Sequence, residues 1–143
     1  MINSARAINE NIPRDICVRI IQKMIEKDMK IKNSDVLILG YTFKENCHDI
    51  RNTKVNDIYN EFVNKYHCNV DIVDPWAYQK DAKHEYNLDI YNELIKDKKY
   101  DVIILAVSHE DFKDLKLNDI KKENCVVFDV KCFLNKEDVD DRL

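Results

Sequence analysis

Four short segments of the chain carry residue types suited to binding a polar ligand, and each lies at the end of an apolar run. They supply a glycine, two lysines, two aspartates, a histidine and a tryptophan, in Gly40–Lys44, Asp74–Trp76, Val107–His109 and Asp129–Lys131. In an open parallel sheet, ligands bind beyond the carboxyl ends of the strands. If the apolar runs are strands of such a sheet, these side chains should meet at one edge and form a polar binding site.

Lys44 has the most specific chemistry of this set. It lies just past the first apolar run and beside Phe43, so its ammonium could contact a phosphate while the aromatic ring covers a base or a sugar. A charge-assisted hydrogen bond to phosphate contributes about 1.5–3 kcal/mol. The alternative, which the residues alone favour, is that Lys44 is a solvated loop charge and Phe43 part of the core.

Asp49 and Arg51 form a second charged feature of the same loop. The residues favour a local ion pair that fastens the loop, with Asn52 or Thr53 capping the helix that follows. Direct contact of Asp49 and Arg51 with a ligand is the alternative.

His109 and Asp74 allow two interpretations each. His109 could act as a general base, but without a nucleophile in view a structural histidine is favoured. Asp74 precedes a proline, which fixes φ and cannot continue a strand ladder, so a rigid turn is the favoured interpretation.

Gly40 is the only glycine in the chain, and residues 41–52 separate it from the next helical pattern. A dinucleotide-binding turn needs three glycines close to a helix start, so that backbone can approach the pyrophosphate. The sequence therefore predicts no NAD site in this chain, and a P-loop is excluded for the same reason.

The five cysteines are odd in number and form no CxxC pair. A disulfide framework or a zinc site is therefore not expected. Cys17, Cys68 and Cys125 are better interpreted as small buried apolar residues.

Composition indicates a globular protein, with 45% apolar and 35% charged residues. A net charge of −4 gives no long-range attraction to nucleic acid or to an anionic membrane. No apolar run has the length of a membrane span, and no signal-peptide pattern begins the chain, so a cytoplasmic location is expected.

Four apolar runs predict strands, and they are continuous rather than alternating, as in strands buried on both faces of a parallel sheet. They cover residues 35–40, 69–75, 100–107 and 124–130. The predicted fold is an α/β, Rossmann-like, doubly wound parallel sheet of about four to five strands.

A leading amphipathic helix is predicted from Ile16, Ile20 and Met24, which share one stripe. Pro13 suits the first turn of that helix, or a kink if the helix already runs from Ile2. Its polar start suggests a chain cut from a longer protein. Further helical segments are predicted after Thr53 and at 89–97, with a turn or two after the third strand.

The segment GYTFKENCHDIRNT (40–53) resembles the start of the C-terminal domain in UDP-glucose/GDP-mannose-type nucleotide-sugar 6-dehydrogenases, where a G-L-T-F-K-E-N-x-x-D-x-R-N-T-K-V run recurs. It is most similar to the bacterial branch that acts on UDP-N-acetylhexosamines. The likeness continues through VDIVDPWA, DVIILAVSHEDF and VVFDVKCFL, and ARAINENIP (5–13) resembles the helix leading from the family's central dimerisation region. Tyr41 and Cys132, where the family often has Leu and Gly or Ser, are the departures.

The resemblance implies that residues 1–33 are the linking helix and 34–143 the UDP-sugar-binding domain. It implies that Phe43, Lys44 and Lys131 contact the substrate. Members of the family oxidise the C6 alcohol to a carboxylate with two NAD⁺ and a cysteine nucleophile, for surface polysaccharide synthesis. The NAD domain and that cysteine precede this segment, so the chain alone should have no catalytic, cofactor-binding or metal residues and should be inactive, while the full-length enzyme is expected to be a cytoplasmic homodimer.

Two other functions remain as hypotheses from the sequence. A stand-alone binding or regulatory module, such as a phosphoryl-accepting receiver, would need an acidic cluster at the first strand end. The first strand instead ends in Gly40, Tyr41 and Thr42, and Asp74 is alone. A purely interaction role would use the leading helix, through Ile12, Ile16 and Ile20, to dock a second chain.

Overall fold

The computed structural model describes residues 2–51 and 53–143, with side chains described from residue 11 onward. The chain forms α1 (Ile2–Glu26), β1 (Asp35–Leu39), α2 (Val55–Asn60), β2 (Asn69–Val73), α3 (Gln79–Tyr86), β3 (Tyr100–Leu105), β4 (Lys121–Asp129) and β5 (Asp141–Arg142). A π-helical turn, Glu61–Lys65, extends α2, and three 3₁₀ turns lie at Glu110–Phe112, Leu117–Asp119 and Lys136–Asp138.

The five strands form one parallel sheet in the order β2-β1-β3-β4-β5. From β1 the chain builds outward first to β2 on one side and then to β3, β4 and β5 on the other. The predicted α/β, Rossmann-like parallel sheet is confirmed. β5, only two residues long, is the strand that the apolar pattern could not show.

Both faces of the central strands are buried, as their continuous apolar runs predicted. Val36 and Ile38 of β1 face a layer made by α1 and α2, whereas Leu37 and Leu39 face the opposite layer. That opposite layer is thin: the 3₁₀ turns cover it with Phe112, Leu117 and Ile120. The turns expected after the third strand are therefore confirmed.

α1 runs through Pro13, so the second of the two predicted positions of this proline is the observed one. The predicted stripe packs on the sheet through fully buried side chains: Ile16, Cys17, Ile20 and Met24. Arg19 and Lys27 also tie α1 to the end of the chain, with Arg19 Nη2 2.7 Å from Asp141 Oδ1 and Lys27 Nζ 2.6 Å from Asp140 Oδ1. α1 thus shares one hydrophobic core with the sheet.

The predicted helix at 89–97 is wrong. This segment is extended and turned, and Tyr91 forms a single parallel bridge to Val73 beside β2. Ile90 is buried there, while Leu94 is exposed, so the apolar spacing that resembled a helix comes from two different environments. The helix between β2 and β3 is α3 instead, which buries only one residue, Ala82, and therefore has almost no apolar pattern.

The predicted cap of α2 is displaced by one residue. Lys54 occupies the N-cap position, and Thr53 Oγ1 accepts a hydrogen bond from the Val55 N–H at 3.2 Å. The other candidate cap, Asn52, lies outside the described residues. In the described part of the chain, no helix combines the length and apolar character that crossing a membrane requires.

Candidate functional site at the carboxyl edge of the sheet

Gly40 lies where the chain leaves β1, at the point where the strand order divides. Its φ is +98°, and a Cβ there would lie 2.5 Å from Val107 Cβ and 2.8 Å from Val107 N. Only glycine fits at position 40, because a positive φ disfavours residues with a side chain and because the backbone at Val107, after β3, leaves no room for a Cβ atom. This contact brings the segments after β1 and β3 side by side, at the position where open α/β sheets bind ligands.

Asp74, at the end of β2, is fully buried and organises the start of the loop after β1. Its Oδ2 accepts hydrogen bonds from the N–H groups of Tyr41 at 2.6 Å and Thr42 at 3.0 Å. Its Oδ1 accepts from the N–H groups of Trp76 at 2.7 Å and Ala77 at 3.1 Å. Asp74 therefore joins two strand ends as well as making the rigid turn that its sequence favoured.

His109 completes this buried cluster. Its Nδ1 accepts the Asn46 N–H at 2.9 Å, so in the neutral ring the hydrogen is on Nε2, which lies 2.9 Å from Asp74 Oδ2 and 3.1 Å from Thr42 Oγ1. Burial acts to raise the pKa of Asp74, but the His109 hydrogen bond and the backbone N–H groups outweigh it and lower the pKa below its usual value. With both nitrogens engaged and the ring buried, His109 is structural, as the sequence favoured, and is not placed to act as a general base.

A cleft of about 370 Å³ opens beside this cluster, between the strand ends, the middle of α1 and the start of α2. Its floor is mainly apolar and comes from residues distant in sequence: Ile12, Pro13, Ile16, Val55, Ile58, Ala106, Val107, Val130 and Leu143. Thr42, Phe43, Lys54 and Lys131 are among the remaining lining residues. The Phe43 side chain is 58% exposed and is not part of the core.

The structure separates the predicted contact residues. Phe43 and Lys131 line the cleft, whereas Lys44 is exposed and is not among the lining residues. Within the described residues, the ammonium groups of Lys44, Lys54 and Lys131 have no ion-pair partner.

Asp49 and Arg51 form the local ion pair that the sequence favoured. Arg51 Nε lies 3.1 Å from Asp49 Oδ1, and the Arg51 N–H donates to the same oxygen at 2.9 Å. The hydrogen bonds from Arg51 lower the pKa of Asp49. Asp49 also closes the loop through its carbonyl, which accepts the Phe43 N–H at 2.7 Å. Neither side chain lines the cleft.

Asp129 holds the segment that carries Lys131. It is fully buried at the end of β4, with Oδ1 accepting the Lys131 N–H at 2.9 Å and Oδ2 accepting the Leu134 N–H at 2.7 Å. The turn places Cys132 at a φ of +54°, in the left-handed region, which explains physically why glycine suits this position.

Lys54 is the charged cleft residue that the sequence analysis did not single out. It lies inside the quoted NTKV run, one residue before the apolar stripe of α2, which places it at the open end of that helix. That position in the motif could have indicated Lys54 as a site residue. Nothing in the sequence indicated that α1 contributes to the floor of the cleft, because this depends on how the helix crosses the sheet.

The residues present do not fit a bound dinucleotide. The connection after β1 has a single glycine, packed against Val107, and α2 begins only at Val55, so no helix start faces a pyrophosphate at this turn. Among the described residues, no three His, Cys, Asp or Glu side chains gather as metal ligands.

None of the five cysteines is among the residues that line the cleft. Burial raises the pKa of the Cys17 and Cys125 thiols to about 12, which makes both poor nucleophiles.

The parallel sheet and the cleft at its dividing point define an α/β domain with a candidate ligand site at the carboxyl edge of its strands. The model of the UDP binding domain of the UDP-glucose/GDP-mannose dehydrogenase family matches residues 37–136. The chain belongs to this family.

Two curated relatives are named UDP-N-acetyl-D-glucosamine 6-dehydrogenase. The protein of Salmonella typhi is 41% identical, and that of Pseudomonas aeruginosa 36% identical, over alignments that cover 100% of this chain and 34% of each relative. The chain therefore spans about a third of the length of these relatives and aligns with their C-terminal, UDP-binding part.

Solved structures show the same fold. The UDP-D-ManNAc dehydrogenase from Pyrococcus horikoshii matches 96% of this chain with a TM-score of 0.78 at 20% identity, over 32% of that protein. The NDP-N-acetyl-D-galactosaminuronic acid dehydrogenase from Methanosarcina mazei matches 93% with a TM-score of 0.82 at 21% identity, over 28% of its length.

Proposed function

We propose that this chain is the UDP-sugar-binding part of an NAD-dependent UDP-sugar 6-dehydrogenase, with a UDP-N-acetylhexosamine as its substrate. One observation carries the proposal: the cleft at the carboxyl edge combines an apolar floor with an exposed aromatic ring and unpaired lysines. The two relatives named UDP-N-acetyl-D-glucosamine 6-dehydrogenase support this choice of substrate class.

The cleft suits a nucleoside diphosphate in two ways. The Phe43 ring offers a flat face to the uracil or the ribose, and stacking of a base on an aromatic side chain contributes about 1–3 kcal/mol. Lys54 and Lys131 bring two positive charges to the same cleft, each able to form a charge-assisted hydrogen bond with the diphosphate. We assign Lys44 to the phosphates as well.

The chain's own residues bind and orient the nucleotide and do not perform the oxidation. Its first connection does not fit NAD, and its cysteines lie away from the cleft. Oxidation of the C6 alcohol by two NAD⁺, with the catalytic cysteine, would then take place on other parts of the longer protein. Asp49 and Arg51 remain loop-fastening residues in this proposal, with direct substrate contact as the alternative.

The wider setting follows from the same proposal. Residues 1–33 would be the helix that leads from a central dimerisation region, and 34–143 the UDP-sugar-binding domain of a homodimer. The five cysteines of this chain are all unpaired thiols, which is typical of a reducing compartment, so we place the protein in the cytoplasm. Its uronate product would serve surface polysaccharide synthesis.

The direct test is calorimetric titration of the 143-residue chain with UDP. We expect measurable binding that Lys131→Ala weakens about five- to tenfold, because one charge-assisted contact is lost, and that Phe43→Ala weakens by a similar factor. Lys30→Ala is the matched control, since Lys30 is an exposed lysine in the turn before β1, at the opposite edge of the sheet. Equal affinity in all four proteins, or no binding to the unsubstituted chain, would contradict the proposal.

A second measurement separates a binding portion from a complete enzyme. The chain is mixed with UDP-GlcNAc and NAD⁺, and NADH absorbance is followed. No turnover is expected, because the chain lacks a fitting NAD turn and a thiol in the cleft. NADH formation above background would show that catalysis resides in this chain.

A further inference from the structure

The loop that carries Phe43 and Lys44, residues 41–49, is held at its start and at its middle by one buried cluster. Outside the cluster, Asn46 Oδ1 accepts the Glu110 N–H at 3.0 Å, and His48 Nδ1 lies 2.6 Å from the Trp76 carbonyl oxygen. Asp74 accepts the N–H groups of Tyr41 and Thr42 at one end of the loop. At its middle, His109 Nδ1 accepts the Asn46 N–H at 2.9 Å. Asn46 has a φ of +54°, so it forms the left-handed turn on which the loop reverses.

A second path of hydrogen bonds leads from the same cluster to Lys44. Thr42 Oγ1 lies 3.1 Å from His109 Nε2 and donates to the Lys44 carbonyl at 2.9 Å. Because Nε2 also contacts Asp74 Oδ2, a chain of three contacts joins a buried carboxylate to the backbone of Lys44.

The His109 ring is fixed in this position by its neighbours. It stacks with Trp76 at a centroid distance of 6.2 Å and packs against Phe112 at 5.7 Å. Asp74 is the charged group in contact with the ring; the nearby Asp111 is engaged by the Trp76 indole N–H at 2.7 Å. These contacts hold the ring in one orientation, so that it links the end of β2 to the loop.

We propose that Asp74 and His109 are positioning residues for the nucleotide-binding loop, and that His109 acts through the hydrogen bond that its Nδ1 accepts from Asn46. The pair touches no substrate: it fixes the backbone from which Phe43 and Lys44 extend. This inference rests on the proposed function, because it assigns the loop its role in nucleotide binding.

Two substitutions separate the two nitrogen atoms. His109→Gln keeps a nitrogen donor near the Nε2 position for Asp74 and loses the acceptor for Asn46. His109→Asn keeps an oxygen acceptor near the Nδ1 position for Asn46 and loses the Nε2 contacts with Asp74 and Thr42. The Thr42 hydroxyl can still donate to the Lys44 carbonyl, and the Thr42 N–H to Asp74, so the loop keeps its other hydrogen bonds. A purely structural histidine would be affected in stability by both changes, with no distinction between them in the loop.

UDP titration and amide hydrogen exchange on the 143-residue chain test the proposal. For His109→Gln we expect UDP affinity to fall about three- to tenfold and the Asn46 amide to lose protection, since one hydrogen bond to the loop is absent. For His109→Asn we expect lower thermal stability, but UDP affinity within about twofold of the unsubstituted chain at a temperature where both are folded. The ring ¹⁵N shifts of the unsubstituted chain should show the hydrogen on Nε2.

Each outcome decides a different claim. Unchanged affinity and unchanged Asn46 exchange in His109→Gln would overturn the positioning role, as would a hydrogen on Nδ1. If the unsubstituted chain binds no UDP, the proposed function fails, and the exchange data alone decide about the loop. Protection lost in His109→Gln and kept in His109→Asn would support the positioning role, and equal loss in both would overturn it.

Discussion

Replacing Asp74 by asparagine should be among the most destabilising single-atom changes available in this protein. The carboxylate is fully buried and accepts five hydrogen bonds, from Tyr41, Thr42, Trp76, Ala77 and His109. An asparagine amide group would face at least two of these donors with another donor. Each buried donor left unmatched costs about 1–3 kcal/mol, so the free energy of unfolding should fall by about 2–6 kcal/mol.

That loss is a large share of the 5–15 kcal/mol by which a domain is usually stable, and should lower the Tm by about 6–18 °C. Urea and thermal unfolding followed by circular dichroism measure it. Asp111→Asn is the matched control, because Asp111 is exposed and an asparagine oxygen can still accept the Trp76 indole N–H. The control should unfold within about 0.5 kcal/mol of the unsubstituted chain.

Asp74→Asn should also change how the free energy of unfolding depends on pH. The pKa of Asp74 is lowered in the folded state from the ordinary value of 3.8, so its ionised form stabilises the fold fully above that value. This contribution is lost as the pH falls through the folded-state pKa. The stability gap between the two proteins should therefore be constant from pH 7 to about pH 5 and narrow below about pH 4. A gap under about 1 kcal/mol at pH 7, or one that persists undiminished in acid, would refute this account of Asp74.

Three further substitutions test other features of the fold. Gly40→Ala should lower the free energy of unfolding by about 2–5 kcal/mol in urea unfolding, from the left-handed strain and the contact of its Cβ with Val107; a change under about 1 kcal/mol would contradict the close approach. Cys132→Gly should raise the Tm by up to about 4 °C in a thermal melt, because the φ of +54° strains any residue but glycine, and a lower Tm would speak against that strain. Arg51→Ala should leave the Tm within error, since its pair with Asp49 is exposed to solvent; a clear drop in the melt would show that the pair does more than fasten the loop.

The candidate site was only partly accessible from sequence. Phe43 and Lys131 were identified from their place after apolar runs and from the family resemblance, and both line the cleft. Lys54 was overlooked although it lies in the quoted motif, and Lys44 proved to lie outside the lining residues. Whether each of these side chains lines the cleft depends on the direction in which it points. The loop contains a left-handed residue, Asn46, and the side-chain directions in such a loop cannot be predicted from sequence spacing.

The fold shows the same division. The sequence by itself determined β1 to β4, because short, continuous apolar runs are typical of strands buried on both faces of a parallel sheet. It also determined the amphipathic stretch of α1. It excluded a dinucleotide-binding turn as well, because such a turn needs three glycines and the sequence has one. It misplaced the helix between β2 and β3, because α3 buries one alanine while Ile90 is buried in extended chain.

Only the tertiary structure decided how the polar residues combine. Asp74 and His109 are 35 residues apart and each looked like an isolated loop residue, yet they share a hydrogen bond and hold a third segment between them. The cleft likewise takes its floor from α1, α2 and three strand ends. The physical reason is that the burial of a polar side chain and its hydrogen-bond partners depend on which segments meet in space. The periodicity of the sequence predicts only the local structure of each segment.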